Sequence, residues 1–145
     1  IKLVLKDIKS VINLQLKSKN ISLIIKITDE LIYADPLMME IVLRNLITNA
    51  IKFSERGNEI IVAGKMIENM FEIKVADNGI GMDKETVANI FTSKFVRSKH
   101  GTSGEKGTGI GLSLCKELID KHHGKIYVKS QLGNGSEFII ELPQI

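Results

Sequence analysis

Two asparagines and a lysine lie inside a strongly apolar stretch, "EIVLRNLITNAIKFS", with Asn45 and Asn49 four residues apart and Lys52 three further on. On a helix that spacing puts all three on one face. Asparagine is a poor helix former, so two of them here need another reason. Amide oxygens are hard ligands of the kind magnesium accepts while water and phosphate oxygens complete its octahedron, and a lysine supplies a point charge for phosphate. The amides could instead satisfy buried backbone groups, and the residues alone leave both readings open.

A second cluster stands at the end of an apolar run. In "VADNGIGM", Asp77 is followed at once by Gly79 and Gly81. Glycines let backbone approach a flat ligand closely, and a carboxylate accepts from an exocyclic amine such as that of adenine. Asp-Asn-Gly is equally good turn chemistry. Further on, Gly107, Gly109 and Gly111 recur at two-residue spacing. A dinucleotide fingerprint fails here, because Leu112 stands where the third glycine belongs and no strand precedes it. A P-loop also fails: Gly104 and Gly109 have the spacing, but Ile110 replaces the required lysine. What remains is a glycine-rich segment feeding a helix N-terminus, whose free amides and dipole suit an anion. "LGNGSEF" reads as a plain hairpin turn through Gly133 and Gly135.

These groups need elements to hold them. Leu5, Ile8, Ile12 and Leu16 predict an amphipathic helix over Leu3 to Lys17. "ISLIIKI" predicts a strand over Ile21 to Ile27, with a further short strand at Leu31 to Tyr33. Asp35 and Pro36 then cap and start a helix that runs to Phe53. Strands are expected over Glu59 to Ile67 and Phe71 to Asp77, and a short helix over Asp83 to Phe91. Thr92 to Thr108 lacks periodicity, and loops of that length are usually functional. A helix over Gly109 to His123, ended by Gly124 as a left-handed cap, leads to closing strands over Lys125 to Ser130 and Ser136 to Leu142. Helices and strands mix without strict alternation, so a mixed sheet with helices on one face fits, an α+β architecture.

The chain has 145 residues, 43% of them hydrophobic, which suits one domain spanning 1–145 with a real core. It starts at Ile1 and reads as a piece of a longer protein. No apolar run approaches the roughly 20 residues that cross a bilayer, so the domain is expected to be soluble and without direct membrane contact. The net charge is +3 with scattered lysines and no tryptophan, which gives no platform for nucleic acid. The single cysteine, Cys115, sits at helical spacing among Leu112, Leu114 and Leu118 and reads as core.

The order of the clusters is more specific than any of them. Asn-x-x-x-Asn-Ala-x-Lys-Phe, Asp-x-Gly-x-Gly, "IFTSKFVR", Gly-x-Gly-x-Gly-Leu and Gly-x-Gly-Ser together resemble the catalytic ATP-binding domain of bacterial sensor histidine kinases, over nearly the whole chain. The resemblance implies a two-layer α/β sandwich of the Bergerat type, with about five strands, three main helices on one face and a mobile ATP lid. It implies ATP and Mg2+ as cofactors, with Asn49 as the metal ligand, Asn45 beside it and Lys52 near the phosphates. Phe53 would lie against the nucleotide, Asp77 would accept from the adenine amine, Gly79 and Gly81 would shape that pocket, and Ser136 would help hold adenine through water. Phe91 and Phe95 would anchor the lid, Arg97 would reach the triphosphate, and Gly107, Thr108, Gly109, Gly111 and Leu112 would bound the lid.

Relatives that hydrolyse ATP carry a glutamate where this chain has Asn45, which cannot act as a general base. Slow net hydrolysis and transfer of the γ-phosphate to another acceptor are therefore expected. That acceptor is not in the chain: His100 is followed by Gly101, and His122 and His123 by Gly124, where the family has an acidic residue after its histidine. His100 reads as solvated, and His122 and His123 as cations favoured at a helix end. The implied partners are a histidine-bearing dimerisation domain of the same parent, acting as a homodimer, and a response regulator, in the cytoplasm; the parent's own membrane topology is open. The alternatives are a protein-serine kinase of the anti-sigma-factor type and a nucleotide-gated module without phosphotransfer.

Overall fold

The computed structural model describes residues 1–92, 101–105 and 109–144. Its first helix, α1 (Lys2–Ser18), buries Leu5, Ile8, Ile12 and Leu16, an i, i+3, i+4 stripe that turns toward the core. Strand β1 (Ser22–Ile27) follows. Asp35 then caps α2 (Pro36–Phe53), its carboxylate accepting from the Leu37 and Met38 amides at 2.9 Å each. Proline at the first helical position gives up no hydrogen bond there. Helix α2 buries Met39, Val42, Leu43, Leu46, Ile47, Ala50 and Ile51, which makes it the central helix of the layer.

Strands β2 (Glu59–Ile67) and β3 (Met70–Asp77) form a hairpin. After it come the short α3 (Lys84–Asn89), capped by Asp83, then α4 (Gly111–Lys121) and the hairpin of β4 (Lys125–Ser130) and β5 (Ser136–Pro143). The strands make one five-stranded sheet in the order β1-β2-β3-β5-β4. Only β1 and β2 are parallel, joined by the α2 crossover, and the rest are antiparallel. This is the mixed sheet and α/β sandwich expected from the sequence. On β3, Phe71, Ile73, Val75 and Asp77 are buried and alternate with half-buried Glu72, Lys74 and Ala76. Period-two alternation thus places the carboxylate of Asp77 in a core position at the strand's last residue.

Three local expectations are corrected. Leu31 to Tyr33 is not a strand. Leu31 is 98% exposed, so no apolar burial holds it, and the Tyr33 amide donates to the Gln144 side chain rather than to a neighbouring strand. The last helix starts at Gly111, not Gly109, because Gly109 has φ +73°. At its other end the left-handed residue is His123 (φ 54°), not Gly124. The His123 amide reaches the Asp120 carbonyl and the Gly124 amide the Ile119 carbonyl, the paired bonds of a Schellman end. Gly124 is required for space instead, since a Cβ there would meet the Glu141 carbonyl.

His122 lies at the end of α4, as expected, and also reaches α2. The Asp35 amide donates to its Nε2 at 3.0 Å and its Nδ1 lies 2.8 Å from the Leu118 carbonyl. The ring is thus held from both nitrogens, by the Asp35 amide and the Leu118 carbonyl. It links the C-terminal turn of α4 to the N-cap of α2. Cys115 is fully buried, as expected, and burial pushes its thiol up to about 12. A thiol reagent at mildly alkaline pH should leave the folded chain unlabelled and label it fully in denaturant; labelling without denaturant would show that α4 opens from α2. No helix among the described residues is long and apolar enough to cross a membrane.

Candidate functional site

The C-terminal end of α2 is the anchor for the site. An α-helix leaves its last four carbonyls without partners in the helix itself. Here the Ser54 amide takes Ala50 O, the Ile80 amide takes Phe53 O at 3.1 Å, and the Lys19 ammonium takes Ile51 O and Lys52 O at 2.9 Å each. The Ile80 bond joins the segment after β3 to α2. Gly79 makes that approach possible, because a Cβ would overlap the Phe53 carbonyl.

Asp77 sits just before this junction, 9% exposed. Its Oδ1 accepts from the Gly79 amide at 2.8 Å. Burial raises the carboxyl above its ordinary range, and the Gly79 and Ser136 amides pull only partly the other way. A carboxylate kept at that disadvantage, with one oxygen anchored by backbone, is placed to accept from a donor brought to it.

The β4–β5 hairpin closes the other side. Gly81 (φ +67°) lies so close to the Gln131 carbonyl that a Cβ would overlap it, and the Gly133 amide donates to Ile80 O at 2.8 Å. Gly135 (φ +73°) presses on the Asp77 carbonyl in the same way. Ser136 pairs directly with Asp77 in the β3–β5 register. Gly133 and Gly135 do lie in the β4–β5 hairpin turn, as the sequence suggested, and Gly135 also belongs to the candidate site. Ser130 was missed: its hydroxyl receives the Met82 amide at 2.9 Å, donates to Gly135 O at 2.8 Å and lies 2.9 Å from the Ser136 hydroxyl. Nothing in the spacing singled it out; its only mark is a hydroxyl where an inward strand position meets a turn.

On α2, Asn45, Asn49 and Lys52 are half-buried and share one face, as their spacing required. Asn45 Nδ2 donates to Ile41 O at 3.1 Å. Its Oδ1 lies against Gly111, where a Cβ would overlap it, so the missing side chain brings the N-terminus of α4 onto the polar stripe of α2. The Lys52 ammonium lies 4.9 Å from the Phe53 ring centre. Leu112 packs against the core, while Gly109 and Ile110 are exposed. Phe91 makes an edge-on contact with Phe138, ring centres 6.2 Å apart, and so fixes the start of the stretch after α3. Phe95, Arg97, His100, Gly107 and Thr108, and with them most of the expected lid, lie outside the described residues.

Residues from α2, β3, the β4–β5 hairpin and the start of α4 are therefore brought to one end of the sandwich. Residues 34–145 match the family model described as "Histidine kinase-, DNA gyrase B-, and HSP90-like ATPase". Sensor protein SrrB of Staphylococcus aureus (strain NCTC 8325 / PS 47) is 39% identical over 106 residues, 73% of this chain and 18% of that protein. The chain thus spans about a fifth of the length of the curated relatives it matches. The nucleotide-free catalytic domain of histidine kinase ThkA superposes with TM-score 0.85 at 27% identity, covering 99% of this chain and 92% of that one. Full-length ShkA in complex with AMPPNP gives TM-score 0.79 at 26% identity, covering 97% and 29%. The resemblance read from the ordered motifs is borne out: the chain belongs to the family of histidine kinase-, gyrase B- and HSP90-like ATPases, whose fold binds ATP.

Proposed function

We propose that this chain, as one domain over residues 1–145, binds Mg-ATP and presents its γ-phosphate to a histidine on a dimerisation domain of the same parent, in a two-component pathway that ends on a response regulator. The observation that carries the reading is Asp77, a buried carboxylate held from one side by the Gly79 amide and set among glycines whose close packing on neighbouring backbone leaves no room for a Cβ. A flat base whose amine meets Asp77 fits that cradle, with Ser136 opposite. Phe53 would lie against the nucleotide and Gly81 would keep the pocket open.

The phosphates would then run along the polar stripe of α2 toward the N-terminus of α4. Lys52 neutralises charge there, and the amides after Gly109 and Gly111 present the positive end of the helix dipole. Among the described residues no three His, Cys, Asp or Glu side chains form a metal cage. The amide oxygen of Asn49 on the half-buried polar face of α2 is a hard donor that fits magnesium completed by phosphates and water, since magnesium needs few protein ligands. Bound Mg2+ would supply charge neutralisation on the triphosphate. Arg97, Gly107 and Thr108 belong to the proposal on sequence alone. Asn45 donates to a backbone carbonyl and has no basic atom to activate water, so the γ-phosphate is kept for its acceptor. Catalysis is positioning and electrostatics rather than covalent chemistry by this chain. SrrB and ThkA are named as a sensor protein and a histidine kinase, and ShkA was solved with a nucleotide, which supports the same reading.

The test mixes the chain with labelled ATP, magnesium and the separately produced histidine-bearing dimerisation domain of its parent. Acid-labile label on that domain is expected. Acid-stable label on a serine protein, or nucleotide binding with no transfer, would overturn the histidine kinase reading.

A further inference from the structure

Lys19 belongs to none of the motifs, yet it is the one buried lysine or arginine among the described residues, 4% exposed. It sits at the C-terminal end of α1. Five oxygens surround its ammonium: Ile51 O and Lys52 O at 2.9 Å, Ser54 O at 3.2 Å, Thr102 Oγ1 at 2.7 Å and Glu105 Oε1 at 2.6 Å. An ammonium has only three protons to donate. The three carbonyls at the end of α2 would occupy it fully, so Thr102 and Glu105 are not needed to cap the helix.

They fasten something else. Residues 101–105 form a closed turn, with the Gly101 amide on Glu105 O at 2.8 Å, the Gly104 amide on Gly101 O at 3.0 Å and the Ser103 amide on Glu105 Oε2 at 2.9 Å. The turn is docked on α2 through the Thr102 amide to Lys52 O at 3.0 Å and the Thr102 hydroxyl to Ser54 O at 2.7 Å. Gly101 lies so near Lys52 that a Cβ would overlap the lysine's Cγ and carbonyl. One oxygen of Glu105 thus closes the turn and the other ties it to Lys19. Although partial burial pushes the Glu105 carboxyl up, the Lys19 hydrogen bond and the neighbouring amides bring it below its usual value, which favours the ion pair at neutral pH.

We infer that Lys19, Thr102 and Glu105 form a latch that holds the 101–105 turn against the stem of Lys52, so that Lys19 and Glu105 are positioning residues for the phosphate-binding lysine. The inference rests on the Mg-ATP reading for its functional consequence. Contact with the stem leaves Lys52 fewer rotamers, so less freedom remains to be lost when it meets a phosphate. The adenine end, built on β3 and the β4–β5 hairpin, touches none of the three.

The variants to use are Glu105→Gln and Thr102→Val, because the carbonyls of α2 still take the three Lys19 protons and the fold should melt within about 3 °C of the parent. Calorimetry should show ATP affinity falling about three- to tenfold for Glu105→Gln with adenosine affinity unchanged. In a Lys52→Met background the same substitution should have no further effect. An equal loss for adenosine, an unchanged ATP affinity, or a full effect without Lys52 would each overturn the positioning role. Amide hydrogen exchange separates this from failure of the nucleotide reading. The Gly101 and Thr102 amides should be protected in the nucleotide-free parent and exchange freely in Glu105→Gln; equal exchange in both would overturn the latch, whatever the chain binds.

Discussion

Replacing Asp77 by asparagine is expected to remove measurable ATP binding while leaving the nucleotide-free chain at least as stable as before. The two halves of this result have one cause. Asp77 is buried at a core position of β3, and burial raises its carboxyl above the ordinary 3.8. A raised folded-state value means the folded chain holds the proton more tightly than the unfolded one, so stability from this group falls as pH rises from 3.8 through that higher value. At neutral pH the ionised carboxylate is a cost to the fold, and asparagine relieves it. The amide oxygen can still accept from Gly79, so the local turn survives. For a ligand the exchange is unfavourable, because the amide now offers a donor in place of one face of the acceptor. Losing a charged, buried hydrogen bond of this kind should weaken ATP by about 100-fold or more. Calorimetry and thermal melting on the same samples check both halves, and the stability gain should shrink as pH falls through the window above 3.8. A variant that both loses ATP and melts well below the parent would mean that Asp77 serves the fold and not the nucleotide.

The second large effect is expected at Gly135. A side chain there meets two obstacles. The backbone has φ +73°, a conformation that costs an L-residue about 1 kcal/mol. A Cβ would also overlap the Asp77 carbonyl and lie 2.9 Å from Asn78 Cα. Both are backbone atoms, so no rotamer change can make room. Gly133, two residues earlier, is the control: its φ is +79°, and nothing lies within 4 Å of a Cβ there. Gly133→Ala should therefore cost about 1 kcal/mol by urea unfolding, and Gly135→Ala about 3 kcal/mol or more. Because the displaced strand end carries Asp77, Gly135→Ala should also weaken ATP about tenfold, with Gly133→Ala neutral. Equal effects at the two glycines would refute the contact.

How much of this was legible in advance follows the range of the forces involved. Helix α2 could be read to the residue because Asp35, Pro36 and its apolar stripe are local signals. Strands β2 and β3 lie within a residue of their expected bounds. The misplaced strand at Leu31 to Tyr33 had the right residue types but no neighbour to pair with, and pairing is not a local property. At the end of α4 the glycine suggested the left-handed position, whereas His123 occupies it and Gly124 answers to a contact from β5. The site divides in the same way. Asn45, Asn49, Lys52 and Asp77 could be picked out because polar groups stood in apolar runs. Ser130 and Lys19 could not, because each is explained by a partner far away in the chain, and the contact of Gly135 with Asp77 is likewise long-range. The likeness to a family singled out Ser136, which spacing alone did not.

The strand order carries a last consequence, for how the chain comes to be able to bind at all. Asp77 faces Ser136 only after β3 and β5 have paired, and that pairing closes a loop containing α3, α4 and β4. No single hairpin holds both halves of the proposed pocket, so a partly folded chain is expected to have no partial affinity. Nucleotide is therefore expected to bind the native state alone and to add to its stability by mass action, about 2.7 kcal/mol at a hundredfold excess over the dissociation constant. For this sheet, the supply of nucleotide acts as one of the terms that keep the chain folded.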